Sequence, residues 1–192
     1  MQIIEGYNRV SRDKFWAYVT VFGTLWGGVE LTLGTFLHVL HVPKTGLIMT
    51  AITIIILIAQ RRLFPHRGST LAVAVVAACL KSLSPGGIIA GPIFGILSEA
   101  AIIELCLLPS SRFFTMILAG GLTLVWSQLQ SLVKTWIYYG QDFIEGLCKL
   151  ITKFFAISWT TAIGVGLIAL YFALIFVIGI VAAIIGCKLG KT

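Results

Sequence analysis

The chain has 192 residues, of which 58% are hydrophobic and only 11% are charged, and its formal net charge is +7. Soluble domains carry about 25% charged residues and cannot bury this much apolar surface. The composition therefore excludes an ordinary soluble enzyme, a disordered chain and a disulfide-stabilised secreted domain. It predicts an all-α, polytopic membrane protein in which residues 1–192 form a single integral membrane domain.

Charge clusters, prolines and glycines divide the sequence into six predicted transmembrane helices. These predicted spans cover residues 15–40, 45–60, 69–83, 92–108, 113–136 and 158–187, with an amphipathic segment at 138–155. The third span is short and is followed by the Pro- and Gly-rich segment Ser84–Gly91. That segment is either an outer hairpin loop or unwound backbone that lines a cavity. In the second case the third and fourth spans form a re-entrant pair, which leaves five full spans.

The distribution of Lys and Arg predicts the orientation of these spans. With the N-terminus inside, nine basic residues lie on inner segments, namely Arg9, Arg12, Lys14, Arg61, Arg62, Arg67, Arg112, Lys188 and Lys191. The outer segments carry five, namely Lys44, Lys81, Lys134, Lys149 and Lys153. This bias predicts that both termini are cytoplasmic and that the chain is a multi-pass protein of the plasma membrane.

Polar side chains inside spans are costly unless they are paired or face a cavity, so they mark candidate sites. In this orientation most of them fall in the outer half of the bundle, which predicts a pocket that opens outward. The predicted substrate-binding residues are Glu30, Glu99, Gln130, Lys134, His38, Trp126 and Trp159, with Trp26 as a further stacking wall.

The acidic residues allow more than one interpretation. Glu30 shares a helix face with Gly23 and Gly27, and it either binds a solute or a proton or pairs with Lys81 or Lys134. Glu99 and Glu104 are five residues apart and point about 140° away from each other on an ideal helix. We therefore assign Glu99 to the pocket and Glu104 to a structural pair or a partner contact.

No motif of a catalytic, metal or cofactor site is present in the sequence. The four cysteines match no zinc pattern and are interpreted as free thiols. His38 and His41 are three residues apart and can reach one metal ion if helical, but only His38 lies within the predicted span and no Cys or His partner is obvious. The sequence predicts a protein that is not an enzyme and has no metal and no cofactor.

Two stretches resemble proteins of a transport family. Leu80–Gly87 and Gly91–Glu99, within a chain of this size and span number, are similar to the substrate-capture (S) components of energy-coupling factor (ECF) type transporters. This resemblance implies six helices without an ATPase, and a vitamin or related micronutrient bound near the outer face. It also implies two kinds of partner, a transmembrane coupling (T) component and a pair of cytoplasmic ABC ATPases. Gly23 and Gly27 are then the small residues that contact the coupling helices.

Two other functions stay open. The protein is a structural or assembly subunit of a larger membrane complex, or it is a small standalone transporter in which Glu30 or Glu99 carries a proton. In the capture function, the two acids indicate a cationic or amine-bearing solute unless Lys134 neutralises one of them. The predicted surroundings are a small-molecule substrate, membrane lipid and the transporter subunits, with no nucleic acid.

Overall fold

The computed structural model describes residues 2–41, 44–83, 90–109, 112–155 and 161–191, and side chains within these ranges except at 2–11, 38, 136, 138, 139, 141–155 and 161–165. Its regular structure is entirely helical, which confirms the predicted all-α class. The helices are α1 (Gln2–Val39), α2 (Thr45–Leu63), α3 (Ser69–Ser82), α4 (Ala90–Leu107), α5 (Phe113–Phe155) and α6 (Thr161–Leu189).

Within the described residues, four segments are long and apolar enough to cross a membrane. They are Thr45–Leu63, Ala90–Leu107, Phe113–Thr135 and Gly166–Leu189. Large apolar side chains on their outer faces are exposed, for example 75% of Phe114 and 65% of Leu105. Such exposure suits a hydrocarbon solvent and not water. The fold is therefore that of a helical membrane protein.

Most predicted boundaries agree with the observed helices, and two differ for a physical reason. The polar N-terminal segment continues α1 as helix instead of preceding it. The amphipathic segment continues α5, interrupted at Gly140, whose φ of 65° and ψ of −159° break the helical backbone. Positive φ costs glycine little, so the chain bends there. The described residues do not include 84–89 or 156–160. Trp159 and most of the predicted Ser84–Gly91 segment therefore lie outside them.

Glycines set the closest helix contacts. A Cβ atom on Gly23 would lie 2.6 Å from Val76 Cβ, and one on Gly27 would lie 2.7 Å from Leu80 Cδ1. The small-residue face of α1 is therefore covered by α3. On α6, a Cβ atom on Gly179 would lie 2.5 Å from the carbonyl oxygen of Gly120 in α5. The backbones of α5 and α6 therefore make close contact at Gly120 and Gly179.

A buried ion pair ties three helices together at one end of the bundle. Arg61 Nη2 of α2 lies 3.3 Å from Glu104 Oε1 of α4, and both side chains are almost fully buried. Glu104 also accepts hydrogen bonds from the backbone N–H of Gly68 at 2.7 Å and of Thr70 at 3.3 Å, at the start of α3. The negative carboxylate thus supplies the acceptors that the first turn of α3 lacks. Glu104 has a structural partner, as one of its two interpretations proposed.

This end of the bundle is also its basic end. Phe15 of α1 packs against Phe64 and His66 beside the ion pair, with ring centroids 6.2 and 5.0 Å apart. Cys187 Sγ of α6 lies 3.6 Å from Met116 Sδ of α5. The first half of α1, the starts of α3 and α5, and the ends of α2, α4 and α6 therefore meet here. The basic side chains described at this end are Arg12, Lys14, Arg61, Arg62, Arg67, Arg112, Lys188 and Lys191.

The α5–α6 contact predicts a large effect of one added methyl group. In Gly179→Ala, the methyl group would overlap the α5 backbone, so we expect a loss of about 1–3 kcal/mol in the free energy of unfolding. Gly166→Ala on the same helix is the matched control, because a Cβ atom there has no neighbour within 4 Å. Unfolding midpoints in detergent compare the two variants. Equal stability of the two variants would contradict this packing.

Candidate functional site

A cavity of about 260 Å³ opens at the end of the bundle opposite the Arg61–Glu104 pair. Five helices form its wall, namely the later halves of α1, α3 and the spanning part of α5, and the first halves of α2 and α4. The ionisable residues among its described lining come from four of these helices and are Glu30, Lys81, Glu99 and Lys134. Charged groups are costly inside a bundle of apolar helices, so this concentration of charge beside an open space marks the cavity as the candidate site.

The first turns of α4 border the cavity with little side-chain bulk. Pro92 needs no hydrogen-bond acceptor for its nitrogen and therefore fits the start of a helix. A Cβ atom on Gly91 would lie 3.9 Å from Lys134 Nζ, and one on Gly95 would lie 3.8 Å from Gln130 Oε1. Larger side chains at these two positions would occupy the space in front of the polar side chains of α5. The two glycines therefore keep the polar wall of α5 open.

Glu30 and Lys81 form an ion pair across α1 and α3. Lys81 Nζ lies 3.6 Å from Glu30 Oε2 and donates a hydrogen bond to the Glu30 carbonyl oxygen at 2.9 Å. Both side chains are mostly buried, at 14% exposure for Glu30 and 13% for Lys81. Of the interpretations left open for Glu30, the structure shows pairing with Lys81. Glu30 also lines the cavity, so pairing and a place in the site coexist.

Among the described side chains, Glu99 is held by hydroxyl groups and not by a cation. Thr50 Oγ1 donates to Glu99 Oε1 at 2.8 Å and lies 2.7 Å from Ser127 Oγ. These contacts join α4, α2 and α5 around a carboxyl group whose residue is only 8% exposed. A buried carboxyl group requires such polar partners, because its desolvation is otherwise uncompensated. The Glu99 network is therefore part of both the packing and the cavity wall.

Gln130 and Lys134 lie one helical turn apart on α5 and face α4. Gln130 Nε2 donates to Ser98 Oγ at 2.6 Å, and Lys134 Nζ lies 3.4 Å from the Gly91 carbonyl oxygen. Within 4 Å, the ion pairs among the described side chains are Arg61–Glu104 and Lys81–Glu30. Lys134 and Glu99 therefore both line the cavity without an opposite charge in that range.

The structure brings four of the predicted site residues together and separates others. Glu30, Glu99, Gln130 and Lys134 line the cavity. Trp126 lies on α5 outside the lining and is 37% exposed, and Trp26 is 1% exposed in the core. Trp26 is thus a packing residue and not a stacking wall. The His38 side chain and Trp159 fall outside the described residues, and α3 covers Gly23 and Gly27, whose predicted partner contact stays a prediction.

Sequence reasoning missed the contribution of α2. Thr45, Gly46, Met49 and Thr50 line the cavity, although the second span reads as an apolar helix with few polar residues. The sequence feature that could have indicated this contribution is Thr50, a polar residue in the midst of an apolar run. A buried carboxyl group on another helix explains why a hydroxyl group is present at this position. Among the side chains described, no group of three or more His, Cys, Asp or Glu residues is arranged to hold a metal ion.

Comparison with family models, with curated proteins and with solved structures gives no match for this chain. Its class is that of a helical membrane protein with a polar cavity at one end. The function is therefore inferred from the cavity and its residues.

The hydroxyl network around Glu99 predicts a difference between two threonines of α2. Thr50→Val removes the donor to Glu99, so we expect a loss of about 1–3 kcal/mol in the free energy of unfolding. Thr53→Val is the matched control, because the buried Thr53 hydroxyl has no partner among the described residues. It is expected to be neutral or stabilising. Thermal unfolding in detergent compares the two, and the reverse order would contradict the network.

Proposed function

We propose that this protein is the substrate-binding membrane component of an ECF-type uptake transporter, which captures a small micronutrient from the outer face. The observation that carries this proposal is the polar cavity, which five helices build around two carboxyl groups and two ammonium groups. Such groups are expensive inside a membrane, and their concentration in one open space is typical of solute pathways. The resemblance of Leu80–Gly87 and Gly91–Glu99 to S components is the expectation from the sequence that suggests this family.

The proposed topology has six spans with both termini in the cytoplasm of a plasma-membrane protein. Its support is the charge difference between the two ends of the bundle. Eight described basic side chains lie at the Arg61–Glu104 end, whereas the described basic side chains at the cavity end are Lys44, Lys81 and Lys134. Because cytoplasmic segments are enriched in Lys and Arg, the cavity then opens to the outside.

This topology predicts where terminal tags are found. An epitope tag on either end of the chain is expected to be protected from antibody and protease in intact cells and accessible after permeabilisation. A tag between Val39 and Thr45 is expected to show the opposite behaviour and serves as the control. Accessibility of both terminal tags in intact cells would overturn the orientation and would turn the cavity towards the cytoplasm.

Capture requires that solute binding stabilises the bundle. A ligand that contacts Glu99, Lys134 and the α2 residues around Gly46 adds further contacts among three helices, α2, α4 and α5. Binding to the folded state alone raises stability in proportion to the logarithm of ligand concentration over Kd. A solute that is retained through purification therefore also protects the protein against unfolding.

The proposed partners are a T component and two cytoplasmic ABC ATPases, which supply the energy that a binding component lacks. The packing of α1 against α3 bears on where such a T component would attach. Because α3 covers Gly23 and Gly27, a coupling helix that contacts these glycines has to displace α3. Otherwise the T component docks on a different face of the bundle.

The capture function predicts that filling the cavity removes the solute. A Cβ atom on Gly46 has no neighbour within 4 Å, and Gly46 lines the cavity. Gly46→Leu is therefore expected to fold and to block the site. Gly28→Leu is the matched control, because Gly28 has the same free space but lies outside the lining. Native mass spectrometry of gently purified protein should show a small molecule on the wild type and on Gly28→Leu but not on Gly46→Leu.

The same spectra discriminate the other functions. Retained ATPases and a T component support the proposed transporter. An empty wild-type protein that shows no thermal shift with vitamins, amines or amino acids, and that purifies with a different membrane complex, indicates a structural subunit. Proton-coupled uptake by the purified chain alone in vesicles indicates a standalone transporter.

A further inference from the structure

We propose that the captured solute is a small aliphatic zwitterion, bound with its ammonium group at Glu99 and its carboxylate at Lys134. This inference rests on the proposed capture function and names the chemical class of its substrate. It follows from the charges of the cavity, from the hydrogen-bonding groups beside each charge and from the side chains that form the rest of the wall.

The charges of the cavity divide into one closed pair and two separate groups. Lys81 compensates Glu30 at 3.6 Å, so neither needs a charge from the solute. Glu99 and Lys134 line the same space, and among the side chains that the structure describes no opposite charge lies within 4 Å of either. A monovalent amine would compensate Glu99 and leave Lys134, whereas a monocarboxylate would compensate Lys134 and leave Glu99. A zwitterion compensates both, which matters because uncompensated charges are costly in a buried site.

The neighbours of Glu99 favour an ammonium group. An ammonium group has three N–H donors and no acceptor, so its site must offer several oxygen atoms. Besides the carboxyl oxygens of Glu99, the hydroxyl oxygens of Thr50 and Ser127 lie within the same network and line the cavity. This part of the wall therefore has the acceptors that a primary amine requires.

The neighbours of Lys134 favour a carboxylate. The Lys134 ammonium group has three donors, and the described contact to it is a long one, 3.4 Å to the Gly91 carbonyl oxygen. Donors therefore remain for a carboxylate, and Ser131 on the same helix also lines the cavity. Charge-assisted hydrogen bonds of this kind are about twice as strong as neutral ones.

The remaining wall favours an aliphatic skeleton. Among the described residues that line the cavity, none is aromatic, and the apolar contributions come from Met49, Pro92 and Ile96. Trp126 and Trp26 lie outside the lining, so the stacking walls predicted from the sequence are not available from these residues. A volume of about 260 Å³ suits a small solute and not a large ring system.

A matched set of probes tests the inference. Norvaline and 5-aminopentanoate are isomeric five-carbon zwitterions with different spacing of their charges, and pentylamine and pentanoate each carry one of the two groups. Solute-free protein in detergent is titrated with each probe, and the thermal shift is measured. We expect at least one zwitterion to bind about tenfold or more tightly than both singly charged probes.

Two charge-removing variants assign the ends of the solute. Glu99→Gln should abolish the preference for the zwitterion over pentanoate, and Lys134→Gln should abolish the preference over pentylamine. Asp13→Asn and Lys188→Gln are the charge-matched controls at the opposite end of the bundle, and both should bind like the wild type. Unfolding midpoints without ligand identify any variant that fails to fold, and Gly46→Leu defines the signal of a blocked cavity.

The outcomes separate this inference from the capture function. Preferential binding of pentylamine that is unchanged in Lys134→Gln, or of pentanoate that is unchanged in Glu99→Gln, would overturn the zwitterion and leave capture standing. The same holds if no probe binds while the wild type still retains a solute that Gly46→Leu loses. If wild type and Gly46→Leu are equally empty and no probe binds, both the inference and the capture function fail.

Discussion

The central constraint on this bundle is the cost of placing charged groups inside apolar helices, several kcal/mol for each group that lacks a partner. The two ends of the bundle meet this constraint differently. At one end Arg61 and Glu104 pair at 3.3 Å, and two backbone N–H groups donate hydrogen bonds to the Glu104 carboxylate. At the other end Glu99 and Lys134 are left apart around an open space. In the first arrangement the two charges compensate each other, and the pair is structural. In the second arrangement the charged groups are left for another molecule to compensate.

Glycines make both arrangements compatible with one fold. Close backbone contact at Gly120 and Gly179 holds α6 against α5, and Gly186 lets α6 approach α2, where a Cβ atom would lie 2.8 Å from the Ile55 carbonyl oxygen. Dispersion forces between such close surfaces stabilise helix association in lipid, where the hydrophobic effect does not. Because α6 packs against both α2 and α5, it fixes the positions of these two helices. Thr50 Oγ1 of α2 then lies 2.7 Å from Ser127 Oγ of α5. The geometry at Glu99 thus depends on contacts made elsewhere.

The sequence predicts the parts of this structure that depend on local patterns. Helix positions follow from runs of apolar residues, and the third helix, predicted at 69–83, is observed at Ser69–Ser82. The collection of Glu30, Glu99, Gln130 and Lys134 at one end follows from their depth in the spans. The sequence does not show which of these residues pair, because pairing depends on how each helix is rotated about its axis and on how the helices cross. Lys81 was therefore only one of two candidate partners for Glu30, and the hydroxyl of Thr50 went unnoticed.

The packing beneath the cavity bears on how a captured solute would leave. Ile54, Leu57, Ala100 and Ile103 are each 0% exposed, and they lie between Glu99 and the Arg61–Glu104 pair along α2 and α4. A polar solute that passed through this layer would lose its own solvation and would have to separate the ion pair, and breaking a buried pair costs about 3–5 kcal/mol. Under the proposed function, the chain alone therefore binds more readily than it conducts. Release towards the cytoplasm then requires that a partner reorients the bundle or separates its helices, which places the energy source for uptake in the partner.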